Sequence, residues 1–198
     1  MMLTEVTSVA DAALPVDEFK AHLRLGTGFG EDTLQDVVLI SFLRAAVAAI
    51  EGRTGKVLLA HDLSWQSADW RDRAGQGLPV APVTALGAVT LIAADGGETV
   101  VDPAEYALRA DAHAPVVVPT GSLLPQVATK GAVRVVFTAG MAAAWGDLPA
   151  DLAQAVLMLA AHYYEYRNDT SLAEGCMPFG VSSLIARYRK LRLAPGAL

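Results

Sequence analysis

The chain has 198 residues, of which 53% are hydrophobic and only 18% are charged. Intrinsic disorder is excluded, because disordered chains combine low hydrophobicity with high charge. The net charge of −6 argues against a protein that coats nucleic acid, since binding many phosphates requires a basic surface. The single cysteine excludes an internal disulfide and a cysteine-based zinc cluster.

The start of the chain has neither the basic region nor the apolar core of a signal peptide. The two most apolar runs, residues 37–50 and 152–164, are interrupted by Arg44 and by Gln154 and His162. Neither run is long and apolar enough to predict a membrane span. We therefore expect a cytosolic protein with no membrane partner.

The first third of the sequence predicts two helices. A short one, residues 16–25, follows Pro15, and the acidic Asp17 and Glu18 suit its positive N-terminal end. After a glycine-rich link, a long helix is predicted from about residue 32 to about 53. Gly55 is placed to end it.

The middle of the sequence predicts short strands. Their expected positions are 57–70, 83–93, 98–101, 106–109, 116–118 and 132–138. Asp95-Gly96-Gly97 predicts a hairpin turn between two of them. Prolines between the strands are typical of an irregular antiparallel module.

Helical periodicity returns at the C-terminal end, with a helix predicted over 149–167 and a last one from Ser182 or Ser183 to about residue 192. The predicted fold is α+β. It is a helical frame of about four helices with an antiparallel β-module inserted between helices 2 and 3. The expected domains are residues 1–56 with 139–198, and residues 57–138.

The long helix and the third helix carry more apolar surface than a surface helix needs. Two interpretations remain open: both are central helices of a compact domain, or one face of each contacts a neighbouring subunit. The low charged fraction favours subunit contacts. The candidate residues for a ring interface are Val38, Phe42, Leu152, Val156, Leu159, Tyr163 and Tyr164.

No motif in the sequence carries a specific chemistry. The glycine-rich stretch 26–30 lacks the lysine of a phosphate-binding loop and follows no predicted strand. Neither a nucleophile elbow nor a zinc-binding helix signature occurs. We therefore predict no catalytic residue, no cofactor and no metal site.

The most distinctive chemical feature is the basic C-terminal segment. Four of the 15 basic residues and none of the 21 acidic ones lie in the last twelve positions. Three interpretations remain open: a solvated helix face, a DNA contact, and docking onto an acidic or mixed protein partner, for which arginine and tyrosine are favoured anchors. The residues concerned are Arg187, Tyr188, Arg189, Lys190, Leu191, Arg192 and Leu193.

Several stretches in this order resemble the head–tail connector (adaptor) proteins of long-tailed bacteriophages and of phage-like gene transfer particles. One is the opening helix 16–25, with Lys20 ahead of Leu23-Arg24, and another is the start and end of the long helix, at Glu31-Asp32 and 48–55. The C-terminal part of the resemblance lies in residues 137–140, 148–152, 162–167, 178–181 and 188–193.

The resemblance implies a structural protein without catalytic residues or a cofactor. Such proteins form a ring, usually twelve-fold, beneath the portal. The ring extends the channel through which double-stranded DNA passes, and it carries a tail-side stopper or connector. By analogy, residues 187–193 bind the portal and the helical frame makes the ring contacts. The resemblance implies assembly in the bacterial cytoplasm and a final place in the particle neck.

Two alternatives of other classes remain at this point. One is a DNA-binding packaging accessory that uses the basic C-terminal segment. The other is a small enzyme with a pocket at the β-module. The β-module is larger than short members of the resembled family carry, so its role is left open by the sequence.

Overall fold

The protein is described from a computed structural model, which covers residues 1–25, 33–167 and 177–189. The α+β class is confirmed, and within these ranges all the strands pair antiparallel. The helices are α1 (Val16–His22), α2 (Thr33–Thr54), α3 (Ala150–Glu165) and α4 (Phe179–Ile185). The strands are β1 (Met2–Glu5), β2 (His61–Ser67), β3 (Gln76–Gly77), β4 (Val83–Ile92), β5 (Glu98–Val100), β6 (Tyr106–Arg109), β7 (Val116–Pro119) and β8 (Ala132–Ala139).

The chain divides into two compact units. We call Met1–Val9 with Lys56–Ala143 the β unit, and Ala10–Gly55 with Ala144–Leu198 the helical unit. The expected division assigned residues 139–143 to the helices, and it also differs at the N-terminus, where it assigned residues 1–9 to them. These residues group with the β unit since β1 pairs with β2 along its whole length.

The β unit is built on a five-stranded sheet of order β1-β2-β8-β4-β5. Burial alternates along β8, where Val133, Val135, Phe137 and Ala139 point to the core. This period of two is the pattern of a sheet with one buried face. The core also contains Trp65 of β2, which stacks on Trp70 with ring centroids 6.2 Å apart.

A three-stranded sheet of order β3-β7-β6 completes the β unit. The hairpin predicted at Asp95-Gly96-Gly97 is confirmed between β4 and β5. Gly96 has φ of 86°, which favours glycine. The Asp95 carboxylate accepts a hydrogen bond from the Gly97 amide at 2.9 Å.

In the helical unit, α1 ends three residues earlier than predicted. The reason is local: Arg24 has φ of 55°, a left-handed conformation that cannot continue a helix. Helix α2 ends close to its predicted position. Gly55 follows it with φ of 67° and its amide donates to the carbonyl of Glu51 at 2.8 Å.

The predicted start of the last helix, at Ser182 or Ser183, is wrong. Helix α4 begins at Phe179, directly after Pro178, and gives way to a 3-10 turn over Ala186–Tyr188. This first turn of α4 lies against α3: a Cβ at Gly180 would be 2.8 Å from the Met158 methyl carbon, which would have to shift. Helix α3 packs against α1, α2 and α4, and so lies at the centre of the helical unit.

Gly140 gives a test of the packing of the β unit. A Cβ at this position would lie 2.3 Å from the Cα of Ala60 and 2.4 Å from its nitrogen. Since backbone atoms cannot yield cheaply, we expect Gly140→Ala to lower the free energy of unfolding by about 2 kcal/mol or more. Tryptophan fluorescence during urea unfolding measures this loss.

The matched control is Gly121→Ala, because a Cβ at Gly121 meets nothing within 4 Å. Its unfolding midpoint should stay close to that of the unchanged protein. Equal midpoints for the two variants would contradict the close approach of residues 60 and 140.

Candidate docking and subunit-contact surfaces

The basic C-terminal segment begins directly after α4, in the 3-10 turn Ala186–Tyr188. Arg187 and Tyr188 lie in the 3-10 turn, and Arg189 follows with extended backbone, φ −71° and ψ 135°. Arg189 is exposed, and the Arg187 side chain is 68% exposed. The other predicted docking residues lie outside the described ranges; they are Lys190, Leu191, Arg192 and Leu193.

Tyr188 differs from its predicted role as a partner contact. It is only 9% exposed, and its hydroxyl donates a hydrogen bond to the Asp151 Oδ1 atom at 2.8 Å. The Arg187 guanidinium lies over its ring, 4.7 Å from the centroid. A side chain so occupied offers little surface to another protein, so Tyr188 belongs to the fold of the helical unit.

Asp151, in the first turn of α3, contacts both Arg187 and Tyr188 of the 3-10 turn. Its Oδ2 atom pairs with the Arg187 Nε atom at 2.8 Å, and its Oδ1 atom also accepts from the Leu152 amide at 3.0 Å. Asp151 was not among the predicted site residues. The one available signal was its place at a helix start, where a carboxylate is ordinary.

The pKa of Asp151 reflects these contacts. Burial by itself would raise the pKa, but the Tyr188 hydroxyl, the Arg187 charge and the Leu152 amide together hold it below the ordinary value of 3.8. A carboxylate whose pKa is lowered in the folded state stabilises the fold at pH values above its ordinary pKa. That contribution is lost as the pH falls through the lower, folded-state pKa.

Three of the predicted ring-interface residues are wrong. Leu152, Val156 and Leu159 are fully buried within the chain itself. Their apolar pattern reflects the central place of α3, which packs against three other helices. A side chain without exposed surface cannot contact a second subunit, so these residues are core residues.

The other four candidates retain some surface. Val38 on α2 is 47% exposed, and its neighbour Val37, which was not among the candidates, is 68% exposed. Phe42 and Tyr164 are half-buried and meet edge to face, with ring centroids 5.9 Å apart. Tyr163 is also half-buried, and burial raises the pKa of its hydroxyl.

Phe179, at the start of α4, was also missed by the sequence analysis. Its side chain is 88% exposed. The last helix was predicted to begin at Ser182 or Ser183, so Phe179 was not part of any predicted apolar helix face. An exposed phenylalanine adds apolar surface to the helical unit beyond that of α2.

The β unit contains a groove of about 490 Å³ between β4 and β6. Its lining carries two hydroxyl groups, and both are engaged: Thr84 donates to the Thr138 carbonyl at 3.2 Å, and Tyr106 donates to the Gly87 carbonyl at 3.0 Å. The remaining lining residues have no polar side chain; they are Ala85, Leu86, Gly87, Ala88, Val100, Pro103, Ala107 and Leu108. Apart from these two hydroxyl groups, the lining offers no side chain that could act as an acid, a base or a nucleophile.

The described residues hold neither a cluster of metal-ligand side chains nor a membrane-spanning helix. No group of three or more histidine, cysteine, aspartate or glutamate side chains among them is arranged to hold a metal ion. Within the same ranges, no helix is both long enough and apolar enough to cross a membrane. Cys176 lies outside the described residues.

The distinction between core and surface apolar residues can be tested with two truncations. Leu152→Ala should lower the free energy of unfolding by about 3 kcal/mol, because it leaves a cavity in the core. Val38→Ala should change it by less than about 0.5 kcal/mol, because Val38 is already in contact with solvent. Urea unfolding followed by circular dichroism at 222 nm measures both, and similar losses would contradict the assignment.

Comparison with known proteins gave matches among solved structures. No protein-family model and no curated protein matches the chain. It is similar to a chain in the neck of an empty GTA particle computed with C6 symmetry, at 49% identity and a TM-score of 0.89. It is also similar to a chain in the virion of a native gene transfer agent (GTA) particle, at 49% identity and a TM-score of 0.86.

A third similar chain comes from the neck of a native GTA particle computed with C12 symmetry, at 46% identity and a TM-score of 0.84. Each match covers 99% of this chain and 99% of the matched chain. Such identity over the whole length is far above what a shared fold alone requires. The chain therefore belongs to the same family as these neck proteins of gene transfer agent particles.

Proposed function

We propose that this protein is the ring-forming adaptor in the neck of a phage-like gene transfer particle. In this role it sits beneath the portal, extends the channel for double-stranded DNA and carries the next tail-side protein. The supporting observation is the full-length match to chains in gene transfer agent necks. Subunits would be made in the bacterial cytoplasm and end in the neck of the particle.

A twelve-fold ring is supported by the symmetry of the similar structures. A structure computed with C12 symmetry holds its chains in multiples of twelve, and a twelve-fold ring also obeys the six-fold symmetry of the other neck structure. Rings of this kind need a head-to-tail interface between two different surfaces of the subunit. We assign one of these surfaces to the exposed face of α2 around Val37 and Val38.

We assign portal binding to the C-terminal segment, from Arg189 through residues 190–193. Its three cations contrast with the acidic remainder of the chain, so it can recognise an acidic or mixed surface on the portal without attracting the body of the adaptor to DNA. Arg187 contributes charge at the edge of this segment, because its side chain is largely exposed. Tyr188 is excluded from the contact set, because it is buried.

An enzymatic role has little support. The groove of the β unit holds two hydroxyl groups that already have partners, and the similar chains come from structures of particles and their necks. We propose that the β unit instead supplies surface for the tail-side partner. No cofactor is needed for any of these roles.

The ring assignment can be tested by placing a charge on the exposed face of α2. We expect Val38→Glu to reduce ring assembly at least tenfold, because an unpaired carboxylate would be buried in an apolar contact. Glutamate is a good helix former, so the fold should be kept. Light scattering and native mass spectrometry, with the protein alone and mixed with the portal of the same genome, measure the assembled mass.

The control is Gln126→Glu, which adds the same charge at an exposed position of the β unit. It should assemble like the unchanged protein. Equal assembly of both variants would remove α2 from the ring interface. A protein that stays monomeric with and without the portal would overturn the adaptor assignment.

The docking assignment can be tested by neutralising the segment. We expect the triple variant Arg189→Ala, Lys190→Ala and Arg192→Ala to weaken portal binding by about 100-fold, because charged anchors at a docking site are its main source of affinity. Arg71→Ala, Arg109→Ala and Lys130→Ala together remove the same charge from exposed sites of the β unit. This control should bind normally.

DNA binding is measured in the same preparations at several salt concentrations. One contrary result is DNA binding that depends steeply on salt and loses that dependence only in the C-terminal triple variant. This result would mean that the segment contacts DNA and not the portal. Portal binding that both triple variants weaken equally would mean that only overall charge matters.

A further inference from the structure

The contacts around Asp151 form a compact anchor at the base of the C-terminal segment. Asp151 accepts from the Tyr188 hydroxyl at 2.8 Å and pairs with the Arg187 Nε atom at 2.8 Å. Arg187 also donates from Nη2 to the Tyr188 hydroxyl and lies over the tyrosine ring. Three side chains thus hold one another, and two of them directly precede Arg189.

The anchor lies between the packed helix α4 and the extended backbone of Arg189. Helix α4 is held on α3 by the buried Val181 and Ile185, but the chain leaves helical geometry after Tyr188. The carboxylate of Asp151 is therefore the polar link that ties the final 3-10 turn, Ala186–Tyr188, to the first turn of α3. Beyond that turn, Arg189 has extended backbone.

The anchor has features that packing alone does not require. A phenylalanine at position 188 would fill the same space, yet the chain has a tyrosine whose hydroxyl meets a carboxylate. A buried hydroxyl with a charged partner holds one orientation, since other orientations leave a polar group unsatisfied. Arg187, which is largely exposed, adds a weaker contact from the solvent side.

We infer that Asp151 is a positioning residue that, through Tyr188 and Arg187, fixes the place and backbone direction of Arg189, the first residue of the docking segment. This inference rests on the proposed portal docking of that segment. A segment that starts from a fixed point has less freedom to lose when it binds, so the anchor raises affinity without touching the portal. In a ring, it would also present every copy of the segment in the same direction.

The test uses the full-length variants Asp151→Asn and Tyr188→Phe, singly and together. Tyr188→Phe keeps the buried ring, so it remains informative even if loss of the carboxylate disturbs folding. We expect the double variant to bind the portal about tenfold more weakly while its thermal unfolding midpoint shifts by only a few degrees. Asp147→Asn is the control, because Asp147 is an exposed acid of the same unit, and it should bind normally.

A second measurement does not depend on the portal. A nitroxide is attached to Arg189→Cys in a Cys176→Ser background, and its mobility is measured by electron paramagnetic resonance. We expect slow motion with the anchor intact and clearly faster motion in the double variant. A merely structural role of Asp151 would change the unfolding midpoint and leave the mobility at residue 189 of the folded protein unchanged.

The outcomes separate the two proposals. If the unchanged protein does not bind the portal, the proposed function fails, and the nitroxide still tests the anchor. Unchanged mobility in the double variant overturns the anchor, whatever the portal does. Increased mobility with undiminished portal binding overturns the inference that the anchor serves docking.

Discussion

The burial of α3 is the constraint on which the helical unit depends. Seven of its 16 residues are buried, and it packs against α1, α2 and α4. Because its apolar surface is used within the subunit, α3 has little left for a neighbour. Its first turn carries Asp151, so the helix that organises the core also holds the base of the C-terminal segment.

The apolar composition of the chain has a structural explanation that does not require subunit contacts. The chain forms two units, and the β unit has a hydrophobic core of its own, built around Trp65, Phe137 and Val135. The helical unit buries apolar side chains of its own, among them those of α3, so many apolar residues of the chain are used inside the subunit. The exposed apolar side chains that could serve assembly lie in small patches, such as Val37 and Val38 on α2 and Phe179 on α4.

Local chemistry made most elements predictable. Periodicity and terminal signals located α1, α2 and α3 to within a few residues, and Asp95-Gly96-Gly97 marked a hairpin whose turn needs a left-handed glycine. Strand β1 was missed, because its four residues are all exposed and show no alternation. It exists through pairing with β2, about sixty residues further along the chain, and such pairing leaves no local signal. The start of α4 was misplaced because Pro178 and Gly180 are typical of a loop, whereas Gly180 lies within the helix.

The sequence by itself determined the α+β class, the order of helices and strands, the excess of apolar helix surface and the concentration of positive charge at the C-terminus. Only the tertiary structure decided which of those apolar side chains are core and which are exposed: Leu152, Val156 and Leu159 are buried, whereas Val38 is not. It also decided that Tyr188 faces inward, because its partner Asp151 lies 37 residues away in sequence. Composition and periodicity depend on near neighbours along the chain, whereas burial depends on which distant segments pack together.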